Sequence, residues 1–318
     1  MKTQQIEEII ACLPNGRTAF HYYPDRYALL LLAWASGEGI DTRALRAGPF
    51  GRLLDKPSVR EVLARAGKGE LRAEDFNLHW PTDTLAPAQT FLLSLDIWNR
   101  ERSRYNQTSR GDANLVLQLN FSNQHEQHLP AINGPMLRDT LISWGHPVMK
   151  PGEREYFRNT LAWARIDLDF GTGEALIEEI QNDWLRNAER ALKWMQRYQQ
   201  AWNVNARDIA RFRDYCEQVL APLRKCWSEA MLSAALWFLH EELGLHDIWY
   251  HSADTGRRIK RIDHSAPPRS LYTRLPRRFC FQQTQQAPEM LTRSRGFMRR
   301  YRRIENPSWY RLEIPTWH

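Results

Sequence analysis

Apolar positions recur at two different spacings along the chain. Over residues 1–75 the spacing is helical. Ile6, Ile9 and Ile10 fall on one face of a first helix. Pro24-Asp25 opens "RYALLLLAWA", which is apolar nearly all round, is expected to be buried, and ends at Gly37. "KPSVREVLARAG" offers Ser58 as N-cap, Val59, Val62 and Leu63 as an apolar face, and Gly67 as terminator. From residue 114 the period drops to two. "NLVLQLNF" (114–121) sets Leu117, Leu119 and Phe121 on one side, and "WARIDLDF" (163–170) alternates Ile166, Leu168 and Phe170 with Arg165, Asp167 and Asp169. Residues 129–152 are rich in Pro and Gly and predict a loop. "GTGE" then predicts a turn ahead of "ALIEEIQ" (175–181). Leu176, Ile177, Ile180 and Trp184 would also fit a helix, but the position after a strand and a Gly-rich turn favours a β-hairpin.

Helical spacing returns over 184–219, and Pro222 is expected to break it. "CWSEAMLSAALWFLHEELG" (226–244) predicts a long helix, apolar around most of its surface, of the kind normally buried against a sheet. "HDIWYHS" predicts a strand, "TGRRIKRI" a short helix and "WYRLEIP" (309–315) a final strand. The expected fold class is α+β. A mainly helical region covers 1–110, and a mixed-sheet domain with a helical insertion and a basic C-terminal segment covers 111–318.

Composition adds limits. The 318 residues are 42% hydrophobic and 25% charged, ordinary for a soluble protein. No apolar run reaches the roughly 18 residues of a membrane span, and the first ten residues lack the form of a signal peptide. A cytoplasmic protein without a membrane partner is expected. The four cysteines are scattered without a C-x-x-C pair, which argues against zinc and against a disulfide framework. The thirteen tryptophans are expected chiefly as core anchors. Charge is uneven: residues 257–318 carry fifteen Lys/Arg and four Asp/Glu, while the whole chain is only +7. That asymmetry predicts a nucleic acid or acidic protein partner, or an acidic face within the molecule itself. Oligomeric state has no signature in the sequence.

Few motifs carry chemistry. His240 and His246 are six apart, the wrong spacing for a zinc helix. His125 and His128 lie in a polar stretch without an evident third ligand, so no metal is expected. P-loop, Rossmann and G-x-S-x-G patterns are absent. Glu178 and Glu179 are adjacent, and a strand would point them to opposite faces. Either, if enclosed beside Trp184, could serve as a general base. An ion pair with one of the arginines is the favoured alternative. Arg293, Arg295, Arg299, Arg300, Arg302 and Arg303 interleave with Phe297, Met298 and Tyr301, a pattern suited to phosphates and exposed bases. The alternative is a folded basic element on the acidic remainder, which the strand pattern at 309–315 favours.

The stretch "GEREYFRNTLAWARIDLDFGTGEALIEEIQNDW" resembles a segment of long phage and mobile-element polyvalent proteins, most specifically at "EEIQNDW". The order strand, long helix, strand, short helix, then "LYTRLPRRFCF" is also similar to the C-terminal half of GNAT-type acyltransferases. That resemblance implies a GNAT-like domain that binds acetyl-CoA or another acyl-CoA and acts as an N-acyltransferase. "ALIEEIQ" would be the splayed strand, with Glu178 or Glu179 as base and Tyr272 as acid. "LRKCWSEA" would open the phosphate-binding helix, with Arg224, Lys225 and Ser228 at the pyrophosphate. The sequence departs from the family in two ways. Residues 220–228 contain no glycine, and a helical insertion of about 35 residues separates strand from helix. A prophage or mobile-element accessory protein acting in phage–host conflict is the implied setting; a non-enzymatic nucleic-acid binder is the alternative.

Overall fold

The computed structural model describes residues 1–12, 18–67, 69–79, 88–100, 107–129, 136–152, 156–199, 204–262 and 268–315. The N-terminal part contains α1 (Thr3–Cys12), β1 (Thr18–Tyr22), α2 (Arg26–Ser36), β2 (Ile40–Asp41), α3 (Thr42–Ala47), α4 (Pro57–Ala66), β3 (Glu70–Leu71) and α5 (Ala73–Asn77). Then follow β4 (Gln89–Trp98), β5 (Asn114–Phe121), α6 (Asn123–His128), α7 (Met136–Leu141), β6 (Thr160–Asp169) and β7 (Glu174–Gln181). Next come α8 (Trp184–Arg197), α9 (Ala206–Asp214), α10 (Ala221–Trp237), β8 (Asp247–His251) and α11 (Ala253–Lys260). The chain continues through α12 (Arg274–Arg278), β9 (Gln282–Thr284), α13 (Glu289–Thr292), α14 (Arg295–Tyr301) and β10 (Trp309–Glu313).

The fold is α+β, with helices in the N-terminal part and a mixed sheet flanked by helices. The eight strands run in the order β1-β4-β5-β6-β7-β8-β10-β9, and β2 and β3 form a separate pair. Two strands of this sheet, β1 and β4, belong to the region expected to be mainly helical. The pairing of β4 with β5 carries the sheet across the expected boundary at residue 110. "QTFLLSLDIW" carries a period-two pattern, with Phe91, Leu93, Leu95 and Ile97 on one side and Ser94 and Asp96 on the other, that the sequence reading misses.

The hairpin expected at 163–181 is present. Gly173 takes a left-handed φ of 70° in its turn, and the Gly171 amide donates to Asp169 Oδ1 at 3.0 Å. Its polar row is not solvent-facing. Arg165 and Asp167 are both fully buried, because residues 107–113 cover that face: Arg165 Nη2 donates to the Gln107 carbonyl and Arg110 grips Asp167 twice at 2.7 Å. A sheet covered on both sides buries the alternate positions that an exposed hairpin would solvate. Two polar residues of β5, Gln118 and Asn120, are likewise paired: Ser94 donates to Gln118 at 2.6 Å, and Thr160 to Asn120 at 2.7 Å.

The helix expected at 226–244 is longer. Helical structure runs without interruption from Ala206 to Glu242, with wide π turns at Tyr215–Leu220 and Phe238–Glu242. The first π turn lies just before Pro222, so the expected break does not occur. A wider turn accommodates the ring and the missing N–H where a regular one would kink. Residues 200–203 of the stretch expected to be helical lie outside the described residues, as do 130–135 of the expected loop, in which α7 stands. Small residues at Ala230, Ser233, Ala234 and Ala235 bring α10 close to β5, β6 and β7 and against α2. Leu176, Trp249, Ile259, Met290, Leu291, Phe297 and Trp309 form a separate apolar cluster of their own. Removing one such large side chain typically costs about 3–5 kcal/mol.

Candidate functional site

One pair of strands in the sheet is parallel. β7 and β8 keep register from Glu174–Asp247 to Ile177–Tyr250, where the backbone pairing ends one residue before the end of β8. On the other side of β7 the register with β6 slips at the same point. Arg165 faces Glu179 and Ile166 faces Ile177, so Glu178 is the extra, bulged residue. A bulge re-aims side chains, and here it separates the two glutamates into different partnerships.

Glu178 is fully buried and enclosed by donors. The Ser109 amide donates to Oε1 at 2.7 Å, the Ser109 hydroxyl to Oε2 at 3.0 Å and His251 Nε2 to Oε2 at 2.9 Å. Burial alone would raise its pKa. The His251 hydrogen bond, with Lys260 and Arg165 behind it, more than offsets that and holds the carboxyl down to about 2. Glu178 is therefore an ionised anchor and not the raised-pKa base considered from sequence. Ser109, His251 and Glu178 have the composition of a nucleophilic triad but not its geometry. A relay needs hydroxyl and carboxylate on opposite ring nitrogens, whereas both lie on Nε2, with Ser109 Oγ 3.0 Å away. The other nitrogen, Nδ1, is buried without a partner among the described residues, under Gly256.

Glu179 takes the ion pair that the sequence favoured: Arg165 Nη2 donates to its Oε2 at 2.5 Å. Its Oε1 has no hydrogen-bond donor among the described residues. Glu179 is also within electrostatic reach of Lys260, Tyr250 and Tyr272. Burial depresses the pKa of Lys260, whose ammonium donates to the Glu178 carbonyl at 2.6 Å and lies 5.9 Å from the centre of the Tyr272 ring. Burial, and then Glu179, push the Tyr272 phenol well above its ordinary value, and its hydroxyl has no partner among the described residues. Tyr272 and Lys260 line a cavity of about 170 Å³ that Gly256 floors and Arg257, Arg269 and Asp254 rim.

The structure thus brings Glu178, Glu179 and Tyr272 to one locus, together with His251, Lys260, Arg165 and Ser109, which sequence reasoning missed. Lys260 lies in the short helix expected at "TGRRIKRI", where nothing in the pattern singles it out from its basic neighbours. Arg224, Lys225 and Ser228 are placed differently from the expectation. They lie in the early turns of α10, but helix precedes them, so no free N-terminus opens there for a phosphate. Arg224 is exposed and pairs with Glu189 at 3.5 Å, Lys225 is exposed and Ser228 is half-buried.

In the basic segment Arg293, Arg295, Arg299, Arg302 and Arg303 are exposed, and Arg300 turns inward to donate to the Ser109 carbonyl. Phe297 is buried, and Tyr301 stacks on it at 5.1 Å. His125, expected in a solvated loop, is buried in α6, stacked on Phe121 and bonded to the Tyr215 hydroxyl at 2.7 Å. Among the described residues no three His, Cys, Asp or Glu side chains converge as a metal site would require. No family model, no curated protein and no solved structure matches the chain.

Proposed function

We propose that the chain is a GNAT-type N-acyltransferase whose site is the opening between β7 and β8. The observation that carries this reading is the coincidence of three features: a parallel pair whose backbone pairing ends at Ile177, a bulge at the next residue, and a cavity nearby lined by Tyr272, whose phenol has no partner among the described residues. An acyl thioester would enter the gap, with the phosphates of CoA met by the cationic rim at Arg257 and Arg269 in place of a helix start. The amine of the acceptor attacks the thioester carbonyl. Glu179 Oε1 receives the proton the amine loses, the C–S bond breaks, and the thiolate takes the Tyr272 proton. Burial keeps that phenol protonated until the thiolate forms. The resemblance at "EEIQNDW" supports a phage or mobile-element accessory role.

Calorimetric titration with acetyl-CoA, followed by an assay for free thiol with a panel of amines, tests the reading. Glu179→Gln is expected to keep binding and lose about 10²–10⁴ in turnover, and Arg224→Ala/Lys225→Ala to change neither. Absence of binding at millimolar acetyl-CoA would reject it.

A second reading, non-enzymatic nucleic-acid binding, is favoured by one observation: five of the six arginines between 293 and 303 face solvent. With Phe297 buried, that contact would be made to phosphates and not by stacking.

A further inference from the structure

A second pocket, of about 330 Å³, shares no residue with the one at Tyr272. Two segments far apart in sequence build its wall. The turn at Gly51–Asp55 and the residue after it supply Arg52 and Lys56, and α12 supplies Arg274, Arg277 and Arg278. Spacings of three and four set the α12 arginines on one face of that short helix. Tyr27 of α2 also lines the pocket and stacks on Phe279 at 4.5 Å, which holds the end of α12 against α2.

Five cations thus line one pocket, and two carboxylates answer them. Asp25 pairs with Lys56 at 3.5 Å, and Glu229 pairs with Arg278. Arg52, Arg274 and Arg277 have no carboxylate partner among the described residues. Arg52 Nε donates to Cys280 Sγ at 3.3 Å and Arg277 Nη2 to Gln283 Oε1 at 3.4 Å, both neutral acceptors, while Arg274 has no partner there. Each guanidinium therefore keeps N–H groups to offer. The sulfur contact orients Arg52 without neutralising it. Cys280 makes that contact from a left-handed backbone, φ 65°, which a residue with a Cβ seldom adopts. Arg278 and Lys56 are within electrostatic reach of each other, and like charges at i, i+4, as at Arg274 and Arg278, oppose helix formation. An arrangement that gathers like charges and leaves three without an internal acid is stabilised by an anion.

We propose that this pocket is a binding site for a small anion that carries two phosphate groups. The surplus of three positive charges sets the ligand's charge. One phosphate monoester, at about −1.5 to −2 near neutrality, leaves part of the surplus uncovered, and a second phosphate group covers it. Planar guanidinium forks match phosphate oxygens two at a time, and Lys56 adds a point charge. The volume lies at the small end of the range for ligand pockets, about 300–1,000 Å³. Strand-binding surfaces are instead extended grooves that follow a backbone. The site is independent of acyl transfer and stands or falls separately from it.

The test is calorimetric titration of the intact chain, without magnesium, with inorganic pyrophosphate, orthophosphate and citrate, a carboxylate anion of comparable charge. Pyrophosphate is expected to bind roughly tenfold or more tightly than either of the others. Arg52→Gln and Arg274→Gln, both at exposed positions, should each weaken pyrophosphate binding by roughly tenfold. Without ligand, Arg274→Gln should melt no lower than the parent, because it removes repulsion. Arg299→Gln/Arg302→Gln, on and beside α14, should leave pyrophosphate binding unchanged, and Arg274→Gln should leave acetyl-CoA binding unchanged. The proposal is overturned by no binding of pyrophosphate at millimolar concentration, by equal affinity for citrate, or by unchanged binding in Arg274→Gln. A parallel loss of acetyl-CoA binding in that variant would also overturn it, since the pocket would then hold phosphates of the acyl donor. So would tighter binding of a single-stranded oligonucleotide that displaces pyrophosphate, since the pocket would then be part of a nucleic-acid surface.

Discussion

Glu178 shows how far a buried carboxylate's chemistry depends on its donors. Three hydrogen bonds and two nearby cations make ionisation cheap in a place where burial alone would forbid it. Its pKa falls from an ordinary 4.5 to about 2. A carboxyl with a depressed folded-state pKa contributes stability that is complete above the ordinary value and is lost as pH falls through the folded value. Stability should therefore drop between about pH 5 and pH 2, by an amount on the order of 3 kcal/mol from this group. Burial lowers the His251 pKa too, so that ring also loses stability on acidification, starting below its ordinary 6.5. Glu178→Gln should lose roughly 3–5 kcal/mol at neutral pH and show a flatter acid limb. Urea unfolding at a series of pH values measures both, and an unchanged acid limb would contradict the assignment. Sequence showed that two glutamates share a strand. It could not show which was bulged, because a bulge comes from the register of two strands, and the donors, Ser109 and His251, lie 69 and 73 residues away.

At the scale of elements, α11 packs against β8 through a contact only glycine allows. A Cβ on Gly256 would stand 2.9 Å from His251 Cβ and Cγ. That helix also carries Lys260 to the Glu178 carbonyl, so its closeness sets the geometry of the cluster. Gly256→Ala is expected to destabilise by about 1–3 kcal/mol through overpacking, lowering Tm in a thermal melt. A variant as stable as the parent would mean that α11 can retreat freely. Strands β5, β6, β7, β8 and β10 were legible because alternation or turn residues marked them, and α2 and α10 because their apolar surfaces run nearly all round. The continuity of α9 into α10 was not. Proline is a strong local signal against helix, and the π turn that accommodates it has no sequence signature of its own. The phosphate site at Arg224 and Lys225 was implied by the GNAT resemblance, which needs a helix start there, and the continuous helix provides none.

For the whole molecule, charge asymmetry was legible and its disposition only partly so. The excess of arginine in the last fifth of the chain divides between internal duties, such as Arg300 on Ser109 and Arg311 on Asp247, and a solvent-facing group on and around α14. If that group meets nucleic acid, affinity should fall with salt at a log–log slope no steeper than about −4.5, for five phosphates at 0.9 each. Arg299→Ala/Arg302→Ala/Arg303→Ala should reduce the slope by about 2.7. Filter binding across a salt series measures it, and a slope indifferent to the triple substitution would exclude these arginines as the contact.

The position of β10 bears on how the chain reaches this state. It is the last of the eight strands to be synthesised, yet it lies between β8 and β9 and hydrogen-bonds to both. Until it arrives, β8 presents an open edge, and Trp309 is missing from the apolar cluster that it completes with Trp249 and Leu176. The nascent protein must therefore carry an unfinished, adhesive sheet margin from the synthesis of β8 until β10 is made. The step that seals that margin also brings Trp309 onto His251, 4.8 Å from ring to ring, so closure of the sheet and final seating of the buried charge cluster are one event.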